Sequence, residues 1–264
     1  MDLAIRHRAN AGRHAVREQV TFFREQFASV ASDWKADDSR VTFADFAISE
    51  RIFTALRGSF PEDNYCSEES NPADEALPLE HKYTWVLDPI DGTNNYFLGL
   101  PFCAISLALL KNGMPVYGLI YEYGSDRLLE GGPGIGIWDG HRKLEMLKRP
   151  FDRKQGVIGL HFPLPQNQGA ALQAMLTTYR VRSTGSGALN LAYTALGVLN
   201  GTLDFKVKIW DIAASCALIE AVGLPMVFLE KNPFPLKEFH VDAPLIPYYA
   251  GSADFCDYCK TVLG

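Results

Sequence analysis

The segment TWVLDPIDGTNN constrains this chain most, because an apolar run ends there abruptly in two acidic residues, Asp88 and Asp91. The run predicts a buried strand, and two carboxylates at its end are costly to bury unless they are paired. A shared divalent cation resolves that conflict, since carboxylate oxygens and the Ile90 carbonyl between them suit Mg²⁺. Gly92 and Thr93 follow with backbone N–H groups at the start of a turn or helix, which favours a bound anion. The segment therefore indicates a metal-assisted phosphate site, with a plain turn in which an aspartate caps a helix as the alternative.

Hydrophobic spacing elsewhere predicts a chain of mixed α and β structure. Apolar positions at helical intervals predict a long amphipathic helix over 4–31 and a second helix over 44–56. Asp139-Gly140 predicts a hairpin turn between short strands, and the polar stretch 148–156 predicts a junction between two subdomains. Further strands are predicted at 83–88, 103–110, 115–123 and 157–162, and further helices at 171–179, 188–196 and 211–222.

Charge and composition limit the partners of the protein. The 264 residues are 47% hydrophobic with a net charge of −6, which argues against a nucleic acid or an anionic membrane held by bulk charge. The sequence contains no run of about 18 apolar residues, which a membrane span would require. The charged N-terminus lacks the apolar core of a signal peptide. Five scattered cysteines are typical of a reducing compartment, so we expect a cytoplasmic protein. Cys256 and Cys259 form a lone C-x-x-C, interpreted as incidental thiols, with a metal or redox role as the alternative.

The chain lacks the motifs of several other chemistries. It contains no P-loop and no H-E-x-x-H pair, and its glycine cluster at 131–136 has the wrong spacing for a dinucleotide site. Ser186 lies in TGSGA, which lacks the earlier glycine of a nucleophile elbow. Carboxylates therefore remain as the candidate catalytic groups.

Two further acidic segments extend the pattern around the first strand. CSEES places Glu68 and Glu69 upstream of that strand, and IWDIAAS places Asp211 at the start of a small-residue helix. Taken singly, each has an ordinary structural explanation, and Asp211 alone is typical of a helix N-cap. Taken together with the first pair of aspartates, they match the motifs of a known family.

The run E-E-S, D-P-I-D-G-T-x-N and W-D-x-A-A resembles the inositol monophosphatase family. That family belongs to the magnesium-dependent, lithium-sensitive phosphatase superfamily, which also contains fructose-1,6-bisphosphatases. The resemblance covers nearly the whole chain. Three other segments also resemble the family, namely KADDSRVTFAD, GLIYEYGSDRLLEGGPGIGIWDG and RSTGSGALNLAY.

The resemblance implies an α/β fold, a layered α-β-α-β-α sandwich of the inositol monophosphatase and fructose-1,6-bisphosphatase type. It implies an N-terminal α+β subdomain over 1–150 with most of the metal ligands, and a C-terminal α/β subdomain over 151–264 with Asp211 and substrate contacts. The metal site would then lie at the seam, with the Asp211 carboxylate beside that of Asp91. The family is commonly dimeric, so we expect a homodimer. The GLIYEY hairpin region is apolar enough to sit at an interface, but the sequence alone does not locate the contact.

The resemblance also implies the metal site. Two or three Mg²⁺ ions are expected, with Mn²⁺ as a substitute. Lys35 matches a lysine of the N-terminal loop that helps to bind a further metal. By position, the metal ligands are Glu68, Asp88, the Ile90 carbonyl, Asp91 and Asp211.

Catalytic and substrate roles follow from the same resemblance. Thr93 and Asp45 match a pair that orients and deprotonates the attacking water, and Glu68 joins them as a catalytic residue. The amides of Gly92 and Thr93 would cradle the phosphate. Gly185 and Ser186 fall in the loop that contacts the sugar, and Asp204 takes the position of an acidic residue that binds a substrate hydroxyl.

The substrate implied is a small phosphorylated polyol or sugar, and inositol monophosphate is favoured. Relatives that hydrolyse histidinol phosphate or 3′-phosphoadenosine 5′-phosphate usually carry lysine directly after D-G-T, where this chain has Asn94. Lys206 and Lys208 are the counter-evidence, because they would meet a second phosphate unless they line a solvated strand face. Phosphatases of 3′-phosphoadenosine 5′-phosphate, fructose 1,6-bisphosphate or histidinol phosphate stay open as alternatives. So does a non-catalytic regulatory protein, although clustered carboxylates without a catalytic use would destabilise the fold.

Overall fold

The computed structural model describes residues 2–29, 31–34, 40–70, 75–166 and 168–263. The helices are α1 (Leu3–Gln26), α2 (Phe43–Ser59), α3 (Thr93–Leu98), α4 (Gly169–Thr178), α5 (Gly187–Ala195), α6 (Ile209–Ala221) and α7 (Ala253–Leu263). The strands of the first half are β1 (Ser32–Trp34), β2 (Arg40–Thr42), β3 (Asn64–Ser67), β4 (Leu77–Pro78), β5 (Tyr83–Asp91), β6 (Ala104–Lys111), β7 (Met114–Glu122), β8 (Arg127–Gly132), β9 (Gly136–Asp139) and β10 (Arg142–Leu144). Those of the second half are β11 (Val157–Leu160), β12 (Arg180–Arg182), β13 (Gly201–Asp204), β14 (Met226–Phe228), β15 (Glu238–Phe239) and β16 (Tyr248–Gly251).

Two main sheets and three helical layers alternate, which confirms the predicted sandwich. The seven-stranded sheet runs β10-β9-β8-β7-β6-β5-β3, and the five-stranded sheet runs β12-β11-β13-β16-β14. Helices α1 and α2 pack on the outer face of the large sheet, and α5 and α6 fill the space between the two sheets. Helices α4 and α7 cover the outer face of the small sheet. The order of layers is therefore α-β-α-β-α.

Strand β5 is buried along its whole length because its two faces pack into two different hydrophobic cores. Successive side chains of a strand point to opposite faces. Trp85 and Leu87 join the core beneath α1 and α2, whereas Val86 joins the core around α6. This explains why the segment is a continuous apolar run rather than an alternation of apolar and polar residues.

Several predicted boundaries shift by a few residues. The first helix ends at Gln26 rather than 31, and the second spans Phe43–Ser59. The hairpin is confirmed, since Asp139 pairs with Arg142 across the turn between β9 and β10. The GLIYEY segment lies in β7 at the centre of the large sheet and is largely buried within the chain, which leaves it little surface for a partner subunit.

The two halves of the chain share one core. Helices α5 and α6 lie after residue 151, yet they pack against strands that precede it. The segment 145–156 carries no helix or strand, and the division into 1–150 and 151–264 stays a prediction. Cys256 and Cys259 lie buried and unpaired in α7. No described helix is both long and apolar enough to cross a membrane.

Helix α6 approaches the large sheet closely because Gly118 has no side chain. A Cβ built at Gly118 would lie 2.1 Å from the carbonyl oxygen of Ala214, which belongs to the backbone of α6. Since Asp211 lies in the first turn of α6, this contact also fixes where that carboxylate sits.

We expect Gly118→Ala to lower the free energy of unfolding by about 1–3 kcal/mol, because a backbone atom has to move. The matched control is Gly58→Ala in α2, where no atom lies within 4 Å of the added Cβ. That control should be neutral or stabilise by about 0.5–1 kcal/mol, since alanine favours a helix over glycine. Urea denaturation measures both variants, and equal stability of the two would contradict the packing argument.

Candidate metal and phosphate site

Three carboxylates meet where β5 ends and α6 begins. Asp88, Asp91 and Asp211 each offer a ligand atom, and these atoms all lie within 4.8 Å of one another. The first two are buried and Asp211 is half-buried. The predicted meeting of Asp211 with Asp91 is therefore present, and it joins residues from both sides of the 148–156 junction.

A bulge in β5 lets Asp88 and Asp91 face the same site. Residues three apart on a regular strand point to opposite faces. Here Asp88 pairs with Ser106 and Asp91 pairs with Ala104. Between these two pairs, β5 contains one residue more than β6. The extra residue turns both carboxylates to one side.

Asp91 ties the strand to the helix behind it. Its Oδ1 accepts a hydrogen bond from Gly187 N–H at 3.1 Å, and its Oδ2 accepts one from Ala188 N–H at 3.0 Å. The Ser186 hydroxyl donates to the same Oδ2. Asp91 therefore neutralises the N-terminus of α5 while it faces the other two carboxylates.

Ionisation of all three carboxylates is unfavourable because they are close together and little exposed to water. Burial and the neighbouring carboxylates raise the pKa values of Asp88 and Asp211 well above the ordinary aspartate value. Burial also raises the pKa of Asp91 to about 6, although its hydrogen bonds from Ser186, Ala188 and Gly187 oppose the shift. Oxygen ligands of this kind, close together and carrying excess negative charge, fit a hard divalent cation such as Mg²⁺.

Glu68 lies at the edge of this cluster, directly after β3. Its N–H donates to the Leu87 carbonyl at 3.1 Å, so the backbone holds it beside β5. The half-buried Glu68 carboxylate is near enough to raise the pKa values of Asp88, Asp211 and Asp45.

Asp45 and Thr93 face each other next to the cluster. The Thr93 hydroxyl lies 3.4 Å from Asp45 Oδ1 and donates to the Ile90 carbonyl at 2.9 Å. Asp45 Oδ2 accepts from the Thr42 N–H at 2.7 Å and from its hydroxyl at 2.6 Å. Burial raises the pKa of Asp45 to about 8. Thr42 was not predicted as part of the site, although T-F-A-D is the sequence signature of a capping box.

The segment after β5 forms a tight turn into α3. Gly92 takes a left-handed conformation with φ 84° and is the N-cap residue of α3. A Cβ at Gly92 would lie 2.8 Å from the Phe102 carbonyl oxygen. The first N–H groups of a helix have no partner within it. The amide cradle of Gly92 and Thr93 stays a prediction.

Asn95 connects this turn to the loop before α5, a contact that the sequence does not predict. Its side-chain amide donates to the carbonyls of Phe102 and Thr184, both at 2.7 Å. Gly185 has φ 74°, and the buried Ser186 caps α5 by accepting from Leu189 N–H at 3.1 Å. The loop predicted to contact the substrate is thereby attached to the predicted phosphate cradle.

The C-terminal half adds two residues on the small sheet. Asp204 is fully buried at the end of β13, and the ring nitrogen Nδ1 of His161 lies 3.2 Å from its Oδ2. His161 was missed because no pair of histidines has a metal-binding spacing. Lys206 is exposed, whereas the Lys208 ammonium donates to the carbonyls of Val241 and Ala243.

Lys35 lies outside the described residues, so its predicted metal role stays a prediction.

Comparison with known proteins agrees with this architecture. A model of the inositol monophosphatase family matches residues 5–253. The fructose-1,6-bisphosphatase of Pyrococcus furiosus is 35% identical over 162 residues, which cover 61% of this chain and 59% of that protein. The inositol-1-monophosphatase of Mesorhizobium japonicum is 33% identical over 195 residues, which cover 72% of each chain. The solved structure of the extragenic suppressor protein suhB from Bartonella henselae has a TM-score of 0.83 at 25% identity and covers 97% of this chain and 98% of that one.

The family match places this layered sandwich in a class of phosphatases that act on small phosphorylated substrates. This chain belongs to the inositol monophosphatase family. The family is metal-dependent, and the cluster of Asp88, Asp91 and Asp211 is a group in this chain that could hold a metal.

Without a divalent cation, we expect the unfolding temperature to fall as the pH rises from about 5 to about 8. A carboxyl whose folded pKa is raised stabilises the fold at low pH, and that stability is lost as the pH rises through the folded value. Asp91, with a pKa of about 6, and Asp45, with a pKa of about 8, both have this sign. Thermal unfolding in a chelator and in Mg²⁺ measures the effect.

Mg²⁺ should reverse the fall, since it binds the ionised cluster and competes with protons. The control variant Asp211→Asn removes one charge, so it should show a shallower fall and a smaller gain from Mg²⁺. Unfolding curves that respond to Mg²⁺ equally at all pH values would contradict this account of the cluster.

Proposed function

We propose that the protein is a Mg²⁺-dependent phosphomonoester hydrolase acting on a small phosphorylated polyol or sugar, with inositol monophosphate as the first candidate. The observation that carries the proposal is the meeting of three carboxylates beside the start of α3 and the Asp45–Thr93 pair. The start of α3 would bind a phosphate, the three carboxylates would bind a cation, and the Asp45–Thr93 pair would accept a proton.

Glu68, Asp88, the Ile90 carbonyl, Asp91 and Asp211 would hold the metal, for which Mn²⁺ is the substitute. When bound, Mg²⁺ supplies positive charge to the phosphoryl and leaving oxygens and lowers the pKa of water. The amides of Gly92 and Thr93 would bind the phosphoryl oxygens at the positive end of α3.

Asp45 and Thr93 would act on the attacking water as one unit. Thr42 fixes Asp45 Oδ2, which leaves Oδ1 toward the Thr93 hydroxyl. Thr93 would accept a proton from the water and pass its own proton to Asp45. A proton acceptor works best when its pKa lies near the working pH, and the pKa of Asp45 is raised to about 8.

The choice of substrate rests on Asn94 and on the acidic surroundings of the C-terminal half. Asn94 stands where relatives that act on histidinol phosphate or 3′-phosphoadenosine 5′-phosphate usually carry lysine. The Pyrococcus relative is named a fructose-1,6-bisphosphatase, which supports fructose 1,6-bisphosphate as the second candidate. The exposed Lys206 is compatible with that alternative.

We also propose a lithium-sensitive cytoplasmic homodimer. The five cysteines are free and buried, which fits a reducing compartment. Leu98, Leu100 and Phe102 form an exposed apolar stretch that a partner subunit would cover. Solution scattering at micromolar concentration tests this assembly, and a monomer would count against it.

Phosphate release across a substrate panel tests the function itself. We expect turnover with Mg²⁺ or Mn²⁺, inhibition by Li⁺, and none in a chelator. Inositol 1-phosphate should be hydrolysed faster than 3′-phosphoadenosine 5′-phosphate, histidinol phosphate or NADP, with fructose 1,6-bisphosphate as the second candidate. A protein that binds these esters without any metal-dependent release would instead be the non-catalytic regulatory alternative.

A double-mutant cycle of Asp45→Asn and Thr93→Ala tests the proton-transfer unit. Each change should lower kcat by about 10²–10⁴-fold, because positioned proton transfer is lost. The double variant should lose little more, since residues that act as one unit are not additive. The comparison variant Asp211→Asn should instead raise the Mg²⁺ concentration needed for half-maximal rate. Full additivity, or rescue of Thr93→Ala by more Mg²⁺, would refute the unit.

A further inference from the structure

His161 and Asp204 lie side by side at the carboxyl ends of two neighbouring parallel strands. In the register of β11 with β13, Leu160 pairs with Leu203. His161 and Asp204 are the next residues on each strand, and His161 Nδ1 lies 3.2 Å from Asp204 Oδ2. The pair is therefore set by sheet geometry rather than by a chance contact of loops.

Asp204 is closed off from solvent. Its side chain is 0% exposed, whereas that of His161 is 27% exposed. Its Oδ1 accepts the Lys206 N–H at 2.9 Å, and Oδ2 faces the imidazole. On its other side, β16 places the fully buried Tyr248 directly opposite. The accessible group of this pair is the imidazole.

His161 also lies near enough to the carboxylate cluster to be affected by its charge. Its hydrogen bond with Asp204 raises its pKa most, and the charges of Asp211 and Asp91 raise it further, while burial opposes the shift. The imidazole is thus within electrostatic reach of the proposed metal site, on the side that belongs to the C-terminal half.

Contact through Nδ1 determines what the ring can offer a ligand. A carboxylate partner on Nδ1 holds the ring in one orientation, and in the protonated ring this leaves Nε2–H to donate to a ligand. The carboxylate–imidazole pair is neutral when the ring is protonated. It would therefore not repel an anionic substrate as a bare Asp204 carboxylate would.

We propose that His161, held by Asp204, contacts the organic part of the substrate and donates a hydrogen bond from Nε2 to a hydroxyl oxygen beside the scissile ester. This inference rests on the proposed phosphatase function. It assigns Asp204 the part of a positioning residue, which acts on the substrate through His161.

Two substitutions at His161 distinguish the role of Nδ1 from that of Nε2. In His161→Asn the amide nitrogen replaces Nδ1, so the bond to Asp204 is kept and the substrate contact is lost. In His161→Gln the amide nitrogen lies nearer the position of Nε2, so part of the substrate contact is kept. The control variant is His141→Gln, an exposed residue in the turn between β9 and β10, at the far edge of the large sheet from β5.

We expect His161→Asn to raise KM for inositol 1-phosphate about ten- to hundredfold, the value of one hydrogen bond from a charged donor. Its KM for p-nitrophenyl phosphate, which has no hydroxyl beside the ester, should change less than about twofold by the same reasoning. His161→Gln should recover part of the loss, and His141→Gln should match the unaltered protein.

Equal losses on both esters, or His161→Gln no better than His161→Asn, would overturn the inference and leave His161 a structural residue. Calorimetric titration of inositol 1-phosphate into Asp45→Asn, with and without His161→Asn, measures the contact without turnover. An unchanged Kd would likewise overturn it. Failure of the unaltered protein to hydrolyse either ester with Mg²⁺ or Mn²⁺ would refute the proposed function instead, while the calorimetric comparison would still decide the role of His161.

Discussion

Repulsion among Asp88, Asp91 and Asp211 at the seam of the two sheets is the constraint to which the surrounding structure is adapted. Their ligand atoms lie within 4.8 Å of one another, and each shift in pKa has burial as its first cause. Such an arrangement is tolerated only when helix N-termini, donors or a cation offset the charge. The start of α5 supplies the first kind of compensation, and a divalent cation would supply the last.

The same interaction joins the two halves of the chain. Asp91 ends β5 in the large sheet, while its hydrogen-bond donors Ser186, Gly187 and Ala188 begin a helix of the C-terminal half. Close contact between Gly118 and Ala214 sets the depth of α6 and hence the position of Asp211. The site is consequently a product of packing between layers, and its geometry depends on the shared core.

Acidic residues around the seam differ in chemistry because their partners differ. Asp45 is held by Thr42 and faces a hydroxyl, which suits a proton acceptor. Asp204 is held by an imidazole and has no exposed surface, which suits a positioning residue. The three clustered aspartates face one another, which suits a cation. A common residue type is thus given three different environments by burial and hydrogen bonding alone.

Local sequence determined the helices α1, α2, α4, α5 and α6, the longer strands, the hairpin at Asp139-Gly140 and the acidic strand end, because periodicity and turn chemistry act over a few residues. Resemblance of motifs extended this to the layered fold and to the residues of the proposed site. Apart from β11, the short strands of the small sheet escaped prediction, since three or four residues carry little periodic signal. Tertiary structure alone decided the bulge that turns Asp88 and Asp91 to one side, the capture of Asp91 by α5 and the pairing of His161 with Asp204. Each of these depends on register or packing between segments far apart in the chain, and no local pattern of residues encodes a distance between them.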